Sequence, residues 1–182
     1  AEKFPAHAAF CNSNVPYDTF DAVLTEQPWP IKMMVFVAND ALNSYEAPQH
    51  TAEALKSPNL EFIAVKDFYI TPTAKYADLV LPSADWSERD TIDETFKGLV
   101  ISSPRAVDPP GECWDDWKFY LEWGKRLDPE LWPWADEREM VLWRVKLLHG
   151  LDLTWDEYVE GAYLDTPASM QGKETKKYEK GM

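Results

Sequence analysis

The chain has 182 residues, with 18 Lys and Arg against 32 Asp and Glu and a formal net charge of −14. Hydrophobic residues make up 45% and aromatic residues 14%, which excludes a disordered acidic tail and predicts a folded protein with a proper core. The excess of negative charge argues against a nucleic-acid partner, because such partners are bound through Lys and Arg that neutralise phosphates.

Two cysteines, Cys11 and Cys113, stand far apart without a CxxC motif or a nearby histidine cluster. The sequence therefore predicts buried or half-buried thiols rather than a zinc site or a disulfide framework. The longest apolar run, 33–38, is far shorter than the roughly 20 residues that a membrane helix needs, so we expect no membrane span in this chain. No targeting signal indicates a compartment, and the start at Ala1 leaves open that the chain is a piece of a longer protein.

The first half of the chain predicts alternating helices and strands. After an irregular lead-in over residues 1–16, hydrophobic spacing indicates a helix over 17–27, which Pro28 and Pro30 end. Residues 31–38 are almost continuously apolar, which is typical of a strand covered on both faces in a parallel sheet.

A second helix is predicted over 48–56, with Asn43 or Ser44 as its N-cap, and a second strand over 60–66. Strand, helix and strand in this order form a βαβ unit with a right-handed crossover.

A helical turn over 72–77 and a very short third strand over 79–81, closed by Pro82, complete the pattern. The predicted fold class is α/β, a small parallel, Rossmann-like three-layer sheet with helices on both faces and a C-terminal helical extension. We assign residues 17–108 to this α/β domain.

Residues 85–110 are predicted to be mostly loop, with a strand over 99–102. Helical spacing over 112–127 predicts a helix that buries its aromatic side, Trp114, Trp117 and Tyr120, against the sheet.

Two capping-box patterns follow. Asp136 with Glu139 predicts a helix to about residue 149 that Gly150 ends, and Thr154 with Glu157 predicts a shorter helix to about residue 162. We treat 109–165 as a helical continuation of the domain and the Lys-rich residues 166–182 as a flexible tail.

Ligands of open parallel sheets bind at the carboxyl ends of the strands, which selects the loops 39–44 and 67–73. A carboxylate there can accept hydrogen bonds from the edge of guanine or from a ribose diol. Equally, Asp67 could end its strand in an Asx-turn, and Asn39 and Asp40 could form an ordinary turn. No GxGxxG, P-loop or GxSxG motif is present. The candidate ligand-binding residues are Asn39, Ser44, Asp67, Thr71 and Thr73.

The segment 62–82, FIAVKDFYITPTAKYADLVLP, followed by Trp86-Ser-Glu-Arg89, resembles a stretch of the molybdopterin oxidoreductases of the dimethyl sulfoxide reductase family. The loop 38–44 resembles that family's Gly-x-Asn-Pro loop, with Ala and Asp where Gly and Pro are expected. Segments 109–117, 153–158 and 177–182 resemble the family's continuation towards its C-terminal barrel domain. The sequences Pro72-Thr-Ala74 and Trp86-x-Glu-Arg89 resemble most the branch of the family that contains polysulfide reductases, acetylene hydratase and transhydroxylases.

The resemblance implies that the chain is the third, α/β domain of a larger enzyme, binding the guanine end of one molybdopterin guanine dinucleotide that carries molybdenum or tungsten. Asp67 would anchor the guanine, Thr71 and Thr73 would line the same pocket, and Asn39 with Ser44 would form the neighbouring loop. No catalytic or metal-ligating residue is expected on this chain.

An iron–sulfur cluster is expected elsewhere in the parent enzyme, and no cofactor is expected to stay bound to the chain alone, which should be inactive. The implied partners are the remaining domains of the parent and an electron-transfer subunit. Two alternatives stay open: a stand-alone, receiver-like module with Asp67 as phosphoacceptor, and a structural scaffold.

Overall fold

The computed structural model describes residues 16–94 and 99–164. The chain divides into two compact units, with the boundary in the sequence between Ser83 and Ala84. Within the described ranges, none of the helices combines the length and the apolar character needed to cross a membrane. The predicted lead-in up to residue 15, with Cys11, and the predicted tail lie outside the described residues.

The first unit is built on a parallel sheet of three strands in the order β1–β2–β3. Met33 of β1 lies opposite Phe62 of β2, and Ala64 of β2 lies opposite Leu79 of β3. With helices around this sheet, the predicted α/β class is confirmed. The strands are β1 (Met33–Val37), β2 (Phe62–Asp67) and β3 (Leu79–Pro82), and the helices are α1 (Pro16–Thr25), α2 (Ala41–Ser44) and α3 (Pro48–Leu55), with a 3₁₀ turn at Thr73–Tyr76.

The central strand β2 carries the core of this unit, since its four inner residues are buried. Burial on both sides of the strand explains its unbroken apolar sequence. Phe20 and Val23 of α1, Phe36 of β1 and Val65 of β2 belong to one hydrophobic cluster. Removing a side chain of this kind from water contributes roughly 1.5–3 kcal/mol.

The predicted cap of the second helix is wrong. Asn43 and Ser44 lie inside the separate short helix α2, and α3 begins after Ala47, which has a left-handed φ of 55°. Pro48 at the start of α3 explains the difference, because its fixed φ suits the first helical turn and it has no N–H to satisfy.

The second unit contains an antiparallel sheet in the order β4–β5–β6. The predicted strand over 99–102 is confirmed by β5, but β4 occupies part of the segment predicted to be loop. Its Thr-Ile-Asp-Glu sequence has one apolar residue, and its strand conformation depends on antiparallel pairing with β5, which the local pattern of 91–94 does not reveal. The strands are β4 (Thr91–Glu94), β5 (Leu99–Ser103) and β6 (Ala162–Leu164), and the helices are α4 (Asp116–Leu127), α5 (Glu137–His149) and α6 (Trp155–Val159).

The helices of the second unit begin at the predicted polar caps. Asp136 accepts a hydrogen bond from the backbone of Glu139, and Thr154 with Glu157 forms a complete capping box. Gly150 ends α5 at a φ of 70°, a left-handed conformation that glycine adopts without a steric penalty.

The expectation that α4 buries its aromatic side is correct only for Trp117, which is half-buried and packs against the cluster of Val141, Val145 and Tyr158. Trp114, which precedes the helix, and Tyr120 are 37% and 41% exposed, whereas Leu121 and Gly124 are the buried residues of α4. The indole ring of Trp132 covers Gly124 so closely that a Cβ atom there would overlap it. Leu121, Gly124 and the half-buried Trp117 therefore form the packed side of α4.

Candidate functional site

The loops that follow β1 and β2 leave the parallel sheet at the same edge. Val37 at the end of β1 lies opposite Lys66 of β2, and the amide of Ala38 donates to the carbonyl of Lys66 at 2.8 Å. Asn39 and Asp67 therefore follow neighbouring parallel strands, as the sequence predicts. We call residues 38–44 and 67–73 the sheet edge.

Asp67 is the last residue of β2 and is half-buried. Its Oδ1 accepts a hydrogen bond from the backbone of Phe68 at 2.7 Å, and its carbonyl accepts one from the backbone of Ser83 at 3.2 Å. A carboxylate offers about four acceptor positions. The local turn takes one of them, so the carboxylate retains capacity for the donors of a ligand.

Asn39 holds a buried acceptor that the protein does not use. Its Nδ2 donates to the hydroxyl of Tyr45 at 2.6 Å, whereas its Oδ1 is buried and has no hydrogen-bond partner among the described residues. Leaving such a group unsatisfied costs about 1–3 kcal/mol. The edge thus contains an acceptor that no group among the described residues satisfies.

A hydrogen-bonded latch joins the two loops of the sheet edge. The Thr73 hydroxyl, fully buried, donates to Asp40 Oδ1 at 2.6 Å and accepts from the backbone of Leu42 at 3.1 Å. The same Asp40 oxygen accepts from the backbone of Thr73 at 3.1 Å. Sequence reasoning placed Thr73 in the pocket but treated Asp40 only as a turn residue. No local signal reveals this contact, because the two residues are 33 positions apart in the chain.

The other two predicted residues occupy different positions on the edge. Thr71 is half-buried, and its hydroxyl oxygen accepts from the backbone of Ala74 at 3.1 Å, which leaves its proton available to donate. Ser44 lies at the end of α2 and is exposed.

Ala38 begins the first loop with a φ of 48°, the left-handed region that favours glycine. The loop therefore adopts a glycine-like conformation even though it carries alanine.

Lys66 is a buried cation next to Asp67 that the sequence analysis did not single out. Its side chain is 1% exposed, and its Nζ donates to the Ser83 hydroxyl at 2.7 Å. Because Ser83 also donates its amide to the carbonyl of Asp67, this contact fixes the end of β2. The available signal was a lysine within an otherwise apolar strand.

His50 of α3 packs on α1, with its ring stacked on that of Tyr17 at 4.2 Å between ring centroids. In the second unit, Arg89 pairs with Asp116 at 3.1 Å, while Glu88 accepts from the backbone of Asp85 at 2.9 Å. Cys113 is a free, half-buried thiol, as expected. Within 16–94 and 99–164, no group of three or more His, Cys, Asp or Glu side chains could hold a metal ion.

Comparison with known proteins identifies a family model and several similar proteins. The family described as "Molybdopterin oxidoreductase" matches residues 15–126. The acetylene hydratase of Syntrophotalea acetylenica is 32% identical over 146 residues, covering 79% of this chain and 19% of that protein. The F420-dependent formate dehydrogenase subunit alpha of Methanocaldococcus jannaschii is 36% identical over 109 residues, covering 60% of this chain and 16% of that protein.

A comparison with solved structures also identifies an acetylene hydratase. The solved structure of acetylene hydratase from Pelobacter acetylenicus matches with a TM-score of 0.74 and 30% sequence identity, covering 84% of this chain and 21% of that one. The chain thus spans about a fifth of the length of these acetylene hydratases. Because the family match extends over more than half of the residues, the chain belongs to the molybdopterin oxidoreductase family.

Proposed function

We propose that the sheet edge binds the guanine end of one molybdopterin guanine dinucleotide. The observation that supports this function best is the placement of Asp67 and Asn39 after adjacent parallel strands, where open α/β sheets bind their ligands. Asp67 offers carboxylate oxygens and Asn39 a buried acceptor without a partner. Guanine carries N–H donors on one edge, so its chemistry matches both residues.

The five predicted residues have distinct roles in this proposal. Asp67 accepts hydrogen bonds from the guanine edge, Asn39 accepts a further donor, and Thr71 and Ser44 donate hydroxyl protons. Thr73 positions the edge through Asp40, because its hydroxyl is buried and already bonded. When bound, the cofactor supplies redox or hydration chemistry at a metal held by its dithiolene sulfurs; the residues of the sheet edge orient one end of it.

In our proposal, the reaction requires domains in addition to this chain. The chain acts as one cofactor-binding domain of a larger molybdenum or tungsten oxidoreductase, whose remaining domains supply the metal-ligating side chain and complete the active site. An iron–sulfur cluster and an electron-transfer subunit belong to the same assembly. This view is supported by the small share of the relatives that the chain covers.

Family membership favours this proposal over a receiver-like module in which Asp67 is phosphorylated. The two differ in what Asp67 contacts, since a phosphoacceptor needs a free nucleophilic oxygen and a bound Mg²⁺ ion, whereas a guanine anchor needs only acceptor positions. Oδ1 of Asp67 already accepts from the backbone of Phe68, an arrangement compatible with a hydrogen-bond acceptor.

The test is guanosine monophosphate binding to the full chain, measured by calorimetry and by amide chemical shifts, with adenosine monophosphate as competitor. We expect the Asp67→Asn variant to bind guanosine monophosphate roughly 10- to 100-fold more weakly, because it replaces a charged acceptor by an amide that presents a donor. Its preference for guanine over adenine should disappear.

Glu53→Gln is the matched control. Glu53 is exposed on α3, so this variant changes the net charge by the same amount without altering the sheet edge. Equal affinities of the wild-type chain and the Asp67→Asn variant for guanosine monophosphate would contradict the proposal, as would equal affinities of the wild type for the two nucleotides.

A further inference from the structure

Asn39 lies in a stretch of backbone that is held on both sides. The amide of Ala38, the residue before it, donates to the carbonyl of Lys66 at 2.8 Å. Asp40, the residue after it, accepts from the hydroxyl of Thr73 at 2.6 Å and from the backbone of Thr73 at 3.1 Å. Because both neighbours are tied to the adjacent loop or strand, the direction of the Asn39 amide depends mainly on the torsion angles of its own side chain.

The hydroxyl of Tyr45 restrains those torsion angles. Asn39 Nδ2 donates to the Tyr45 hydroxyl oxygen at 2.6 Å, and within 16–94 and 99–164 the other end of the amide, Oδ1, has no hydrogen-bond partner. The last torsion angle of an asparagine side chain has two broad, roughly equivalent ranges, which exchange the positions of the amide oxygen and nitrogen. The contact with Tyr45 therefore determines which of the two atoms takes the second position.

Tyr45 is itself anchored in the first unit. It is half-buried and packs against the hydrophobic cluster that contains Phe20 and Phe36. Its ring centroid lies 6.2 Å from that of Phe20, with an angle of 52° between the ring planes. Its backbone amide donates to the carbonyl of Ala41 at 3.2 Å and so ends helix α2. Packing thus fixes the ring, and the ring presents its hydroxyl to Asn39.

We propose that Tyr45 is the positioning residue of Asn39: its hydroxyl holds the amide nitrogen and so leaves Oδ1 as the acceptor for a ligand donor. This inference rests on the proposed guanine binding and adds to it a residue that does not touch the ligand. Without the hydroxyl, the amide is free to turn and to place its N–H donors where guanine also carries a donor. Holding the amide before binding also lowers the entropy lost when a ligand binds.

The first measurement needs no ligand and uses the ¹⁵N-labelled full chain. Tyr45→Phe keeps the packed ring and removes only the hydroxyl, and its backbone amide spectrum verifies the fold. We expect the two proton signals of Asn39 Nδ2 to shift and to lose their protection from solvent exchange. Tyr76→Phe is the matched control, because Tyr76 is half-buried and packs against the same cluster, and it should leave these signals unchanged. Unchanged Asn39 signals in Tyr45→Phe would overturn the proposal.

The second measurement is binding of guanosine and adenosine monophosphate by calorimetry. Tyr45→Phe should bind guanosine monophosphate roughly two- to tenfold more weakly, the effect of one neutral hydrogen bond, and should lose part of its preference for guanine. A residue that only stabilises the fold would lower the free energy of unfolding and leave this preference unchanged. Tyr76→Phe should change neither the affinity nor the preference.

A double-mutant cycle separates positioning from direct contact. In an Asn39→Ala background, Tyr45→Phe should cause no further loss of affinity, because the residue through which it acts is absent. Losses that add in the double variant would overturn the proposal. If Tyr45→Phe shifts the Asn39 signals but the wild-type chain binds the two nucleotides equally, guanine recognition fails as the function of the sheet edge, and the orientation of Asn39 by Tyr45 stands.

Discussion

The latch between Asp40 and Thr73 provides the sharpest test of how the sheet edge is held together. Thr73→Val keeps the shape of the fully buried side chain but removes the hydroxyl that donates to Asp40 Oδ1 at 2.6 Å and accepts from the Leu42 amide at 3.1 Å. A hydrogen bond to a charged group contributes about 1.5–3 kcal/mol, and an orphaned buried amide costs about 1–3 kcal/mol.

Because the two losses share one network, we expect a combined loss of about 2–4 kcal/mol rather than their full sum. For a unit of this size, that corresponds to a fall in Tm of about 10 °C or more. Amide hydrogen exchange of β1, β2 and β3 is the suitable assay, since it reports the opening of the first unit separately from the second.

Thr25→Val is the matched control, because the Thr25 hydroxyl also makes two hydrogen bonds, to the Asp21 carbonyl and from the Gln27 amide, but is exposed. Because water can replace these bonds, the free energy of opening measured by hydrogen exchange should change by less than about 0.5 kcal/mol. The latch reasoning is refuted if Thr73→Val stays within that same range, or if a double-mutant cycle with Asp40→Ala shows no coupling.

Three further predictions concern local geometry. Gly124→Ala should lower the stability of the second unit by about 1–3 kcal/mol in chemical denaturation despite the helix propensity of alanine, because the new Cβ would overlap the Trp132 ring; in a Trp132→Ala background the same change should become stabilising. Ala38→Gly should raise the stability of the first unit by up to about 1 kcal/mol, measured by hydrogen exchange, because glycine adopts the left-handed φ of 48° without the steric cost that alanine has. An unchanged stability would contradict this prediction. Hydrogen bonds from the backbone and hydroxyl of Thr154 lower the pKa of Glu157 in the folded chain. The contribution of Glu157 to folding stability is therefore fully present above its ordinary pKa and is lost as pH falls through the lowered pKa. Glu157→Gln should flatten the curve of unfolding free energy against pH in this range, and parallel curves for the variant and the wild type would refute the prediction.

Local sequence pattern was sufficient to predict the parallel sheet of the first unit. The apolar run ending at Val37, the one ending at Lys66 and the short strand closed by Pro82 appear in the structure as three parallel neighbours. Each signal is carried by consecutive residues, so no knowledge of distant partners is needed. The same holds for the polar caps Asp136 and Thr154, whose hydrogen bonds reach only three residues along the chain.

What the sequence did not reveal depends on residues far apart in the chain. β4 is a strand because β5 pairs with it, and Gly124 is a packing position because Trp132 lies on it. In the candidate site, Asp67 and Asn39 could be predicted as candidates because each stands at the end of a predicted strand. The latch from Asp40 to Thr73 spans 33 residues. The lack of a partner for Asn39 Oδ1 within 16–94 and 99–164 is set by the surrounding packing, so neither feature has a local signature.

The composition of the sheet edge limits which part of a nucleotide it can recognise. Residues 38–44 and 67–73 include two Asp and no Lys or Arg, and the nearby Lys66 is buried and bonded to Ser83. The carboxylates favour the N–H donors of a base or the hydroxyls of a ribose, and they repel phosphates. In the proposed complex, the two loops therefore contact the nucleoside, and the cations that balance the pyrophosphate have to come from outside the sheet edge. On this proposal, the domain selects the cofactor by its base, while other parts of the enzyme supply most of the binding energy for its charged groups.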